Sequence, residues 1–386
     1  MEKIRKYIFD VCNVWYKELR YMFADEGLLL FLVALPLFYP VVYSWIYNNE
    51  VAHEVPVVVV DRSHSAKSRE FTRRMDASAE VDIAYYAHDL EEAKDIIGRQ
   101  KAYGVVYFPE DFAVRLNRLE QAKVGVYCDM SLMLAYKNIY LTAILVSGEM
   151  GAEIQTRLLG NYTVRDDEVA VKPLQFDEVP IFNTTGGYGN FILPAVLILI
   201  LQQTLLLAMG LTTGSMREKY GRAVPQSKSY GGVFTVISGK VLLYAMLYAI
   251  TSAYVLLVVP RMFSFVSILN ASDFFIFIAC YLLSCIFFSM ATMFFMRQRE
   301  DVMIIVVFTS ILLLFISGVS WPASAMPAFW KYLGYLFPST LGIKSFVALN
   351  SMGAELSDIQ PYLIGLCIQA AVYFFITVVL YKREIQ

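Results

Sequence analysis

Residues 27–47 read GLLLFLVALPLFYPVVYSWIY, a run without a charged side chain. A helix needs about 20 predominantly apolar residues to cross the hydrocarbon core of a bilayer, and this run supplies them. Pro36 and Pro40 can kink such a helix, which is tolerated when neighbours satisfy the freed carbonyls. Charges return over residues 48–185, and five more apolar runs follow at about 189–213, 240–260, 273–296, 302–320 and 361–381. The expected fold is therefore an α-helical polytopic membrane protein with six transmembrane helices and an α/β domain inserted after the first.

The composition agrees. Of 386 residues, 58% are hydrophobic and 17% charged, against about 45–50% and about 25% in a soluble globular chain. The net charge of −2 identifies no partner, and nucleic acid is not an expected one. Cys12, Cys128, Cys280, Cys285 and Cys367 match no metal-ligand spacing, so no metal site is expected.

Ahead of the first run, residues 1–26 carry Ile4, Ile8, Val11, Trp15, Leu19 and Met22 at three- and four-residue spacing. Lys3, Arg5, Lys6, Lys17 and Arg20 fill other positions. This pattern predicts an amphipathic helix lying on a membrane surface. It does not read as a cleaved signal peptide: the charged region is too long and no small-residue cleavage site follows.

Between the first two runs, short apolar segments alternate with polar helical ones. Strands are expected at 55–60 (VPVVVV), 81–87, 103–109 and 123–129, and helices at 65–75, 90–100, 110–120 and about 131–159. Such alternation argues for an α/β domain over 48–188. Near the C-terminus, residues 321–360 are rich in prolines and aromatics. They read as a re-entrant or interfacial hairpin, about 321–345, rather than a clean span.

Basic residues orient the chain. With six spans, one side holds Lys3, Arg5, Lys6, Lys17, Arg20, Arg217, Lys219, Arg222, Lys228, Lys240, Arg297, Arg299, Lys382 and Arg383. The short connections on the other side hold Arg261, Lys331 and Lys344. Both termini are thus expected in the cytoplasm and the 48–188 domain outside it.

Chemistry is hard to find. No ionisable residue is expected well inside a span, which argues against an ion relay. The polar pair Gln202 and Gln203 reads as helix–helix glue or as part of a substrate path. No G-x-x-x-x-G-K-[ST] loop exists: Gly239 and Lys240 are adjacent, but Phe234 holds the first glycine's place. His53, His64 and His88 are scattered, and no catalytic set can be assembled.

Attention therefore falls on residues 214–239, containing MREKYGRAVPQSKSYGG from Met216. SMREKYGR favours a short helix, with Gly221 as its stop. Arg217, Glu218 and Lys219 offer charges to a cytoplasmic partner.

At this point the chain resembles the permease subunit of ABC-2 type exporters, in the branch with a large extracytoplasmic domain after the first span. The resemblance rests on VPVVVVDRSHSAKSREFTRRMDAS, DLEEAKDIIGRQKAYGVVYFPEDFAVRL, VGVYCDMS, IFNTTGGYGNFILPAVL and REKYGR…SGK, in that order along the chain. Arg222 after Gly221, and the polar AVPQSKSYGG, depart from the family pattern.

The resemblance implies a non-catalytic subunit that binds no cofactor itself. ATP and Mg would sit on a separate nucleotide-binding ATPase, and a second permease would complete the transporter. A periplasmic adaptor and an outer-membrane duct serve some related systems. It also implies a bacterial cytoplasmic membrane, with membrane lipid as surroundings. The ATPase-coupling residues carried over are Arg217, Glu218, Lys219, Tyr220, Gly221, Gly239 and Lys240. Gln202, Gln203, Trp321, Trp330, Tyr332, Tyr335 and Phe337 are candidates for a substrate path or outer gate; the aromatics also fit an interfacial belt. The rival expectation is a membrane-anchored receptor or scaffold whose outer domain binds a ligand without transport.

Overall fold

A computed structural model of the chain describes residues 2–49, 52–118, 120–159, 163–166, 179, 181–184, 186–221, 223 and 232–385. The chain divides into two compact units, Met1–Glu50 with Pro180–Gln386, and Val51–Val179.

The smaller unit holds a four-stranded sheet of β1 (Val55–Asp61), β2 (Val81–Tyr86), β3 (Gly104–Phe108) and β4 (Gly125–Cys128), in the order β2-β1-β3-β4. Strands β2 and β3 run parallel to β1, and β4 is antiparallel to β3. Parallel neighbours need crossovers, and helices supply them. Taking the chain's first helix, in the larger unit, as α1, those here are α3 (Ala66–Asp76), α4 (Leu90–Gly98), α5 (Phe112–Asn117) and α6 (Met133–Leu159).

The valine run explains itself. Val55, Val57 and Val59 face Phe71, Met75 and Ile139 on one side of the sheet, while Val58 and Val60 face Ala93 and Val105 on the other. A strand covered on both faces reads as continuous apolar sequence. Each such valine stabilises the fold by about 1.5–3 kcal/mol. The turn after β1 is organised by Asp61: Oδ1 accepts the N–H groups of Ser63 and His64, and Oδ2 accepts Ser68 Oγ at 2.6 Å. Ser65 caps α3 in a capping box with Ser68.

The larger unit is helical. It begins with α1 (Glu2–Phe23) and α2 (Glu26–Ile46). After the α/β unit come α7 (Tyr188–Tyr220), α8 (Val233–Met262), α9 (Ala271–Phe295) and α10 (Arg299–Ile316). Then follow α11 (Ala328–Gly334), α12 (Pro338–Met352) and α13 (Gln360–Ile385). Among the described residues five helices are long and apolar enough to span a membrane: α2, α7, α8, α9 and α13. The expected fourth run of the C-terminal half, α10, is an 18-residue helix whose first turn carries Arg299, Glu300 and Asp301.

Among the described residues two π-turns occur, Leu30–Ala34 in α2 and Tyr254–Val258 in α8. Each sits just before a proline, Pro36 or Pro260. A proline ring clashes with the carbonyl four residues back, and a widened turn relieves that clash. α7 is the central helix, buried along nearly all of its apolar length.

The segment expected as a hairpin, about 321–345, comprises the short α11, a tight turn at Tyr335–Phe337 and the first half of α12, whose residues Pro338–Ile343 are all buried.

Candidate functional site

The expected short helix at 214–223 is not a separate element. Good helix formers carry α7 past its apolar run to Tyr220 without a break. Gly221 then stops it in the left-handed conformation (φ 71°), its N–H bonded to the Arg217 carbonyl at 2.7 Å. Arg222 and residues 224–231 lie outside the described residues, and 233–239 already belong to α8. What reads as one polar loop is therefore largely two helix ends.

At these ends the charges pair with one another. Arg217 is only partly exposed. It donates to the carbonyls of Phe294 (3.3 Å) and Met296 at the end of α9, and pairs with Glu384 of α13 at 3.3 Å. A cation there satisfies carbonyls that a helix end leaves orphaned. Glu384 also accepts the Ala223 N–H at 2.5 Å. Glu218 accepts the Arg299 N–H at 3.1 Å, placing an anion at the N-terminus of α10. The Arg299 guanidinium pairs with Asp25 at 3.1 Å, and Asp25 caps α2 through the Leu28 N–H.

Lys240, expected at the cytoplasmic start of the 240–260 run, sits in the second turn of α8, 3% exposed, with its ammonium 2.9 Å from Glu18 of α1. Beside it, Gly239 lets α1 approach: a Cβ there would lie 2.7 Å from Val14 and 3.1 Å from the Val11 carbonyl. The pair is ringed by Tyr244 and Tyr381. Among the described residues of the charged cluster, Lys219 and Tyr220 stand clear of the other helix ends, the ammonium 5.5 Å from the ring centre.

The structure thus gathers Arg217, Glu218, Gly239 and Lys240 at one end of the helical unit, and adds Glu18, Asp25, Arg299 and Glu384. Of these additions, Glu18 had a signal: it falls on the Val11–Val14–Met22 stripe of α1, where an acid is out of place. Glu384 and Asp25 had none, since terminal charges on apolar helices are ordinary.

The second group of candidates is scattered. Gln202 is buried and accepts the Ser339 N–H at the start of α12 (2.6 Å). Gln203 donates to Thr309 of α10 (3.2 Å) and borders an apolar groove of about 280 Å3 between α2, α7 and α10. Trp321, Trp330 and Tyr332 are exposed. Tyr335 packs under Lys344, and Phe337 packs edge-on against Phe288.

A family model described as ABC-2 family transporter protein matches residues 27–379. No curated protein matches the chain. Because that match runs from the first apolar helix into the last, the chain belongs to the ABC-2 family of transporter proteins.

Proposed function

We propose that the chain is the permease subunit of an ATP-driven exporter, moving its substrate outward on ATP hydrolysed by a separate nucleotide-binding subunit. One observation carries the reading. The ends of α1, α2, α7, α8, α9, α10 and α13 are tied together by charged side chains at one face. A partner pressing on α1 or on the tip of α7 would displace its neighbours, because ion pairs, hydrogen bonds to helix ends and the short α1–α2 link join them. The exposed Lys219 and Tyr220 are the contact points. The chain itself needs no nucleotide site in this scheme; ATP and Mg belong to the partner.

The same face supports six crossings. α2 leaves it, α7 returns, α8 leaves, α9 returns, α10 leaves and α13 returns. At about 1.5 Å per residue, the 18 residues of α10 reach about 27 Å, close to the ~30 Å hydrocarbon core. The coupling face and both termini are cytoplasmic by the excess of basic residues there, in a bacterial cytoplasmic membrane. The α/β unit then lies outside, where an adaptor could meet it, and a second permease completes the path. Gln203 and its groove, with the exposed aromatics near α11, are the candidate substrate surfaces.

The test is purification of the tagged chain in mild detergent, with mass spectrometry of what accompanies it. A stoichiometric P-loop ATPase, lost in K219E/Y220A with membrane insertion unchanged, is the expected result. An intact dimer without any ATPase would favour a receptor or scaffold instead.

A further inference from the structure

Over residues 133–146 helix α6 is largely apolar on both sides, and only one side of it is covered. Asn138, Ile139, Thr142, Ala143, Val146 and Met150 face the sheet and α3. The opposite side exposes Met133, Tyr140, Leu141 and Ile144, with Leu145 at the margin 65% exposed. A helix apolar on every side is normally buried on every side, and a contiguous exposed apolar face marks an interaction surface.

The exposed face is built in two halves. At 100° per residue, Met133, Lys137, Tyr140, Leu141, Ile144, Ser147, Gly148 and Gly151 form one stripe. The bulky residues precede Ile144 and the small ones follow it. A side chain built at Gly148 or Gly151 would meet nothing within 4 Å. These glycines weaken the helix and relieve no crowding within the chain.

We infer that this stripe is a self-complementary interface, occupied by α6 of a second copy of the same chain in antiparallel register about Ile144. A twofold axis at Ile144 sets Tyr140 over Gly148, Leu141 over Ser147 and Lys137 over Gly151, so each bulky half fills the groove of the partner's small half. Two-fold interfaces are isologous in this way, and small residues let helix backbones approach. Glu149 and Glu153, both directed to Arg74, lie about 140° and about 180° around the helix from Ile144 and take no part in the stripe.

The inference deepens the proposed pairing of two permeases and rests on the α/β unit being in water. It is tested on the full chain in lipid nanodiscs. Particle mass by light scattering reports whether two chains pair, and cysteine crosslinking reports through which surface. I144C should form a disulfide with itself under mild oxidation, and Y140C should crosslink to G148C only when the two variants are co-expressed, above a wild-type control. Y140C alone should not, since its copies would stand about 12 Å apart along the axis. G148L is the second variant: it meets open space in the single chain and improves helix propensity, so it folds, yet it should abolish the I144C crosslink. Monomeric particles would overturn both this inference and the pairing. Dimeric particles with no I144C crosslink, or a crosslink indifferent to G148L, would overturn the α6 interface alone and leave the stripe to membrane or another protein.

Discussion

A lysine and a glutamate removed from water hold each other only while both remain charged, and losing one strands the other. Lys240 and Glu18 are in that position, 3% and 2% exposed. K240M or E18Q alone should destabilise the helical unit by about 3–5 kcal/mol, whereas E18L/K240M should recover most of it, because an apolar pair of similar volume often replaces a buried ion pair without loss. Thermal unfolding in one detergent checks the order; equal damage in all three variants would remove the pair's assigned role. The sequence hid this pair because each member alone looks ordinary. Glu18 sits among Lys17 and Arg20, and Lys240 sits at the edge of an apolar run. Their complementarity appears only once α1 is laid against α8. A second residue-scale expectation concerns Glu70, whose carboxyl is held below its ordinary range by hydrogen bonds from Lys67 and Arg74. A depressed folded value means the stabilisation is present above the ordinary carboxylate range and lost as pH falls through the lowered one. Protection of α3 amides, taken relative to their intrinsic exchange rate at each pH, should fall on acidification through that interval, and E70Q should flatten the response. A wild-type profile identical to that of E70Q would dismiss the contribution.

At the scale of elements, β1 to β4 and α3 to α6 begin and end within a few residues of where alternation in the sequence places them. Valine-rich strands and capped helices are decided locally, by pleat, period and cap, so short windows carry the information. Helix ends in the membrane unit are decided otherwise. SMREKYGR has the propensity of a short helix, but nothing in it states that it continues α7, because continuity depends on the residues before it. The five-aromatic segment fails similarly: Tyr335 and Phe337 pack inward only because α9 and α12 lie beside them. The contact of α1 with α8 is the element-level feature most open to test. G239A inserts a Cβ 2.7 Å from Val14, and overpacking of this kind costs about 1–3 kcal/mol. Amides of α1 should exchange faster in G239A, and V14A should not restore them, because the Val14 Cβ that alanine retains itself lies 2.7 Å from the added atom. Unchanged exchange in G239A would mean that α1 is held by something other than this close approach.

For the whole molecule, the number of crossings follows from where the helix ends meet. Among the described residues five helices satisfy length and apolarity outright, and five crossings would leave the two termini on opposite sides. Yet Glu384, near the end of α13, pairs with Arg217, while Glu18 of α1 pairs with Lys240. Arg217 and Lys240 close α7 and open α8 at a single face, so the termini share it. The proposed arrangement therefore takes an even number of crossings, with α10 as the sixth. Its three opening charges do not oppose this: Asp301 accepts the N–H groups of Arg297 and Gln298, and Arg299 pairs with Asp25, so the first turn forms a capped helix start at the interface. Single cysteines at the exposed positions Lys3, Glu91 and Lys382 read the arrangement directly, using a membrane-impermeant maleimide on intact cells and the wild-type chain as background. E91C should label in intact cells, and K3C and K382C only after permeabilisation. Labelling of K382C but not K3C in intact cells would make α10 a helix that does not cross, and would break the parity argument. Labelling of both termini with E91C protected would keep six crossings but reverse the orientation, moving the charged face away from any cytoplasmic ATPase.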